Sequence, residues 1–74
     1  MARSTHQARY QAFLLRLRQA REEAGLTQVQ VALALGKPQS YTSKCESGGR
    51  RVDVIELSAF AALYQKPLDF FLPG

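Results

Sequence analysis

Residues 36–48 read GKPQSYTSKCESG, a run dominated by hydroxyls, with one amide and two ammonium groups. On a helical wheel turning roughly 100° per residue, Gln39, Ser40, Ser43, Lys44 and Ser47 fall in one arc. Tyr41, Thr42, Cys45 and Glu46 fall in the opposite one. A helix face that merely meets water usually carries Glu–Lys pairs, which favour helix and solubility. This face has no acid at all, so it can lie against a polyanion without repulsion. On duplex DNA, Gln reads adenine bidentately, Ser reaches bases or phosphates, and Lys favours guanine or phosphate. The competing reading is a Ser-rich exposed helix with no ligand, since a helical pattern does not by itself establish a groove.

Other chemistry finds little to work with. His6 is the only imidazole, in a polar start to the chain, and Asp53, Glu56 and Asp69 are too scattered for acid/base work. Cys45 is the only thiol, which excludes an internal disulfide and a Cys-rich zinc cage; a free Cys packs as a small hydrophobe. The chain lacks a nucleophile–base set, a metal cluster and a phosphate-cradling loop, and 74 residues enclose a substrate pocket poorly. We therefore expect no enzyme, no cofactor and no metal.

The elements that position the polar face follow from apolar spacing and punctuation. Tyr10, Phe13, Leu17, Ala20 and Ala24 recur at helical intervals and predict a first helix over 8–24, stopped by Gly25. Thr27 is a side-chain cap for a second helix that ends at Gly36. A third begins after Lys37–Pro38, with Pro38 at or near its first turn, and ends at Gly48–Gly49. Asp53 caps a fourth, whose inner face carries Val54, Leu57, Phe60, Ala61 and Tyr64, and Pro67 opens a short fifth. No stretch alternates long enough for a strand. The expectation is an all-α chain with residues 1–7 as a flexible leader and 8–74 as one domain. From Thr27 to Ser47 it reads helix, short turn, helix, the spacing of a helix-turn-helix. Gln28 opens the first of these helices, where its amide and the free backbone N–H groups suit a phosphate.

Charge is distributed unevenly. Residues 1–51 hold nine Lys or Arg against three acids, and residues 52–74 hold one against three, for a net +4. A basic front suits a polyanion and leaves the back for another surface. Arg50 and Arg51, in the loop after the third helix, and Lys37, in the turn before it, are placed for phosphate contact. Arg16 and Arg18 more simply solvate the first helix. The fourth helix shows a second apolar stripe, Ile55, Ala59, Ala62 and Leu63, to which Phe70 adds. So much apolar surface on a small chain suggests a two-fold dimer contact. No run of about 18 apolar residues exists to span a membrane, and MARSTHQARYQ lacks the apolar stretch of a signal peptide.

The stretch from Leu17 to Phe71 resembles the Cro/CI-type helix-turn-helix domain of the XRE family of transcriptional regulators. The residues that carry the resemblance are LRQAREEAGLTQVQVALALGKPQSYTSKCESG, then VDVIEL, then ALYQKPLDFFL. It implies a compact five-helix bundle of the phage-repressor type that binds operator DNA, commonly as a homodimer. By that resemblance Gln28 contacts the DNA backbone, while Gln39, Ser40 and Lys44 face bases with Ser43 and Ser47 beside them. Tyr41 flanks the groove with its hydroxyl toward a phosphate. Arg21 pairs with Glu46 and locks the third helix to the first, a supporting role. Three positions depart from the family pattern. Pro38 stands where many relatives have a Ser or Thr cap, and Thr42 and Cys45 stand where larger residues are common, which predicts looser packing of the third helix.

These readings converge on a cytoplasmic, homodimeric transcriptional regulator, a repressor or an activator, acting on double-stranded DNA with no evident small-molecule effector. Two-fold symmetry predicts a near-palindromic operator with half-site centres roughly 34 Å apart. The alternative is a protein-interaction module with the same fold, such as an antitoxin or a regulatory subunit.

Overall fold

The computed structural model describes residues 2–72, with side chains from residue 7 onward. Five helices follow one another: α1 (Ala2–Glu23), α2 (Gln28–Ala34), α3 (Tyr41–Ser47), α4 (Val54–Tyr64) and α5 (Leu68–Phe71). No strand occurs among the described residues, so the chain is all-α. Helix α1 begins at Ala2 rather than at residue 8, because nothing between 2 and 23 breaks a helix: the segment has no Gly and no Pro. The expected leader is helical as far as it is described, and Met1 lies outside the described residues, as do residues 73–74.

Helix α1 is the post around which the others gather. It packs against α3, α4 and α5, while α2 packs against α3. Phe13, Leu14, Leu17 and Ala20 are its buried face. Ala24 lies in the exposed turn beyond the helix, and Leu14, which the spacing did not single out, is buried. Against this face sit Val31 and Ala32 of α2, Tyr41 and Cys45 of α3, Phe60, Ala61 and Tyr64 of α4, and Phe71 of α5. Val54, expected inside, is 67% exposed at the start of α4. The rings of Tyr41, Phe60 and Tyr64 form a column, each neighbouring pair of centroids 5.9 Å apart.

Local chemistry sets the helix ends. Thr27 and Gln30 form a reciprocal capping box at α2, and Asp53 and Glu56 form another at α4. Each satisfies backbone N–H groups that the first turn leaves without partners. Helix α3 ends at Gly48, whose φ of 84° lies in the left-handed region. A Cβ there would also come within 3.2 Å of Leu14 Cδ1, so the turn requires glycine for its backbone and for its space.

The small inward residues of α3 are better seated than their size suggests. Thr42 and Cys45 are both fully buried, with no exposed surface, and burial pushes the Cys45 thiol pKa up. The cost lies elsewhere: Thr42 Oγ1 and the Tyr64 hydroxyl are buried with no hydrogen-bond partner among the described residues. Replacing an unpaired buried hydroxyl by a methyl group removes a desolvation penalty. Thr42→Val is therefore expected to raise the unfolding free energy by about 1 kcal/mol in a urea melt; a loss of stability would show that the hydroxyl is satisfied.

Candidate nucleic-acid interface

The interface is built from the inside outward, starting at Glu46. This carboxylate points inward from α3, its side chain only 6% exposed. Arg21, from the last turn of α1, meets it with a two-pronged contact, Nε to Oε2 at 2.6 Å and Nη2 to Oε1 at 3.2 Å. The third guanidinium nitrogen, Nη1, donates to the Leu26 carbonyl at 2.9 Å in the loop that leads to α2. Gln28, the first residue of α2, donates its amide to Glu46 Oε1 at 3.0 Å. One carboxylate thus ties α1, α2 and α3 together. The hydrogen bond from Arg21 to Glu46 holds the guanidinium pKa above its ordinary value.

With Glu46 turned in, the opposite side of α3 is turned out. Gln39, Ser40, Ser43 and Lys44 are all exposed. Gln39 and Ser40 do not belong to the helix proper. They form the turn before it, with Tyr41 N–H donating to the Pro38 carbonyl at 2.9 Å and Ser40 as the N-terminal flanking residue. Pro38 therefore opens the turn instead of the helix. The result is that two polar side chains project at the leading end of α3, ahead of Ser43 and Lys44.

Several neighbouring residues expected to meet DNA make contacts within the protein. Tyr41 is a core residue, 7% exposed, stacked on Phe60 with an interplanar angle of 15°. Burial pushes its hydroxyl pKa up to about 12, and the hydroxyl lies beside the Cys45 thiol. The Gln28 amide is engaged with Glu46. The Ser47 hydroxyl donates to the Lys44 carbonyl at 3.2 Å and accepts from Gly49 N–H at 3.3 Å, closing the end of α3. Arg50 pairs with Glu56 at 2.6 Å and lies 5.1 Å from the centre of the Tyr41 ring. Lys37 approaches the same ring at 5.4 Å, and Arg51 lies 4.6 Å over Tyr10. Lys37, Ser40, Lys44 and Arg50 surround a cleft of about 310 Å³ whose floor is Pro38 and Tyr41.

Glu56 is the residue that sequence reasoning passed over. The Asp53-x-x-Glu56 spacing reveals a capping box, yet the second oxygen's contact with Arg50 arises only when the loop folds back. That contact, first among its causes, holds the Glu56 carboxyl down at about 2. On the far side of α4, Ile55, Ala59 and Ala62 are exposed. Leu63 and Phe70 are instead partly buried against the core, Phe70 beneath Arg16 and Lys66.

A short helix anchored from behind, with its polar face outward and a preceding helix set across it, defines a helix-turn-helix DNA-binding domain. A family model described as helix-turn-helix matches residues 17–71. Among solved structures, an XRE-family like protein from Pseudomonas syringae pv. tomato str. DC3000 is similar at 42% identity and a TM-score of 0.85. The likeness covers 96% of this chain and 89% of that one. No curated protein matches the chain. The chain belongs to the XRE family of helix-turn-helix proteins, whose fold serves DNA-binding regulators.

Breaking a buried pair leaves its other member charged and without a partner. Glu46→Ala is expected to lower the unfolding free energy by about 3–5 kcal/mol, measured by equilibrium urea denaturation. Gln28→Ala, which removes one hydrogen bond to a charged group, should cost about 1.5–3 kcal/mol. A loss below about 1 kcal/mol for Glu46→Ala would contradict the role of the pair.

Proposed function

We propose that this protein is a cytoplasmic transcriptional repressor that binds a near-palindromic operator as a homodimer, with α3 of each protomer in successive major grooves. The observation that carries this reading is the exposed, acid-free set Gln39, Ser40, Ser43 and Lys44, held at one end of α3 by an anchored Glu46 on the other side. In this arrangement Gln39, Ser40 and Ser43 read base edges, while Lys37, Lys44 and Arg51 supply affinity through phosphates and make it salt-dependent. The chemistry needs no cofactor, no metal and no catalytic group. It needs a rigid helix and a set of donors and acceptors at its tip.

The dimer contact is the exposed stripe Ile55, Ala59 and Ala62 on α4, with Leu63 and Phe70 at its margin. Two features support this face: Ile55 is 74% exposed and Val54 beside it 67%, and the carboxylate of Glu56 is already neutralised by Arg50. An isologous contact here repeats the same patch on both protomers.

Two measurements test the reading. Gln39→Ala is expected to weaken binding to a duplex recovered by selection by about 1–3 kcal/mol, with little change on random DNA; equal weakening on both would remove Gln39 from base reading. Ile55→Glu is expected to abolish self-association in analytical ultracentrifugation, because it buries two like charges opposite each other across the symmetry axis. Unchanged self-association would exclude this face.

A further inference from the structure

Arg50 follows the third helix, where a cation would be expected to meet phosphate, yet two of its guanidinium nitrogens are engaged within the protein. Nη2 is 2.6 Å from Glu56 Oε2. Nη1 donates to the Arg51 carbonyl at 3.3 Å, and the guanidinium carbon lies 5.1 Å from the centre of the Tyr41 ring. The backbone N–H of Arg50 donates to the Lys44 carbonyl at 3.1 Å, at the end of α3. Glu56 is equally committed: Oε1 accepts from Asp53 N–H at 3.0 Å while the Glu56 N–H donates to Asp53 Oδ1 at 2.7 Å. One carboxylate thus caps α4 and grips the arginine, and the arginine reaches across to α3 at both its first residue and its last turn.

We propose that Arg50 is a positioning residue that fixes α3 against the start of α4, and that the phosphate contacts at this end of the interface belong to Lys37 and Lys44. This rests on the DNA-binding reading above and divides its labour among the cations. A charge already neutralised by a carboxylate releases no counterions when it meets DNA, whereas a free ammonium does. Among the described residues neither Lys37 nor Lys44 has an ion-pair partner. Both line the cleft beside the leading end of α3. The planar guanidinium suits the positioning task because it lies over Tyr41 while separate nitrogens reach Glu56 and the Arg51 carbonyl, whereas a lysine ammonium offers one nitrogen and no plane.

The two roles predict opposite behaviour in the salt dependence of duplex binding. The probe is a duplex recovered from random sequence by the wild-type protein, titrated at several salt concentrations, with thermal melts of every variant to hold the temperature below its transition. Arg50→Gln is expected to weaken binding about tenfold, the loss of part of a base contact, with the slope of log K against log salt unchanged. Arg50→Lys and Glu56→Gln should behave the same way, and the double variant Arg50→Gln/Glu56→Gln should be no weaker than either single one. Lys37→Gln and Lys44→Gln should each reduce the slope by about one. Several results overturn the proposal: a slope reduced by about one in Arg50→Gln, unchanged affinity in that variant, wild-type behaviour of Arg50→Lys, or tighter binding by Glu56→Gln. Failure of the wild-type protein to bind any duplex at low salt would sink the DNA-binding reading and this assignment together.

Discussion

Glu46 is an acid placed on the helix that is to approach a polyanion, and it is tolerable only because it faces inward. Turning it inward creates a second demand, since a buried carboxylate needs compensation. Arg21 meets that demand from α1 and Gln28 from α2. The geometry of the whole interface follows from this one arrangement. The rotation of α3 about its axis is set by where Arg21 can reach, and that rotation puts Ser43 and Lys44 outside. The angle between α2 and α3 is set by the same carboxylate, through the Gln28 amide. A helix of only seven residues has little stability of its own, so such external anchors replace what a longer helix would obtain from its backbone.

A second set of contacts holds α3 from its other end. Tyr41 stacks in the aromatic column with Phe60 and Tyr64, and Arg50 clips the following loop to Glu56 and back over the Tyr41 ring. Between these anchors Thr42 and Cys45 are fully buried, on a helix that packs against α1 and α2. The cations are divided accordingly. Arg21 and Arg50 are engaged by carboxylates, whereas among the described residues Lys37, Lys44 and Arg51 have no ion-pair partner.

Much of this was legible in the sequence, and the exceptions have a common cause. Helix boundaries marked by Gly25, Thr27, Gly36, Gly48 and Asp53 depend on local backbone chemistry, which neighbouring residues determine. The division of residues 39–47 into two faces depends on helical period, which is also local. What the period could not reveal was which polar group is already occupied. Gln28 and Ser47 look free on a wheel, yet Gln28 donates to a residue on another helix and Ser47 closes its own. Tyr41 looks amphipathic, yet its ring is claimed by Phe60. Arg50 and Glu56 share no local signal, because a loop must fold back before they meet. The extension of α1 to Ala2 is the opposite case, a segment with no apolar periodicity but also nothing to interrupt a helix. The fold-level resemblance supplied the Arg21–Glu46 partnership, which spacing alone would not have singled out.

The account's central claim is that the tip and outer face of α3 meet DNA while α4 does not. Titrating the labelled protein with a duplex recovered by selection, and following backbone amide signals by NMR, tests this most directly. The expected result is that Lys37, Gln39, Ser40, Ser43 and Lys44 shift strongly and in proportion to bound duplex, with Ile55, Ala59 and Ala62 unmoved by DNA. Shifts gathered along α4, with Gln39 and Lys44 unchanged at saturation, would contradict it.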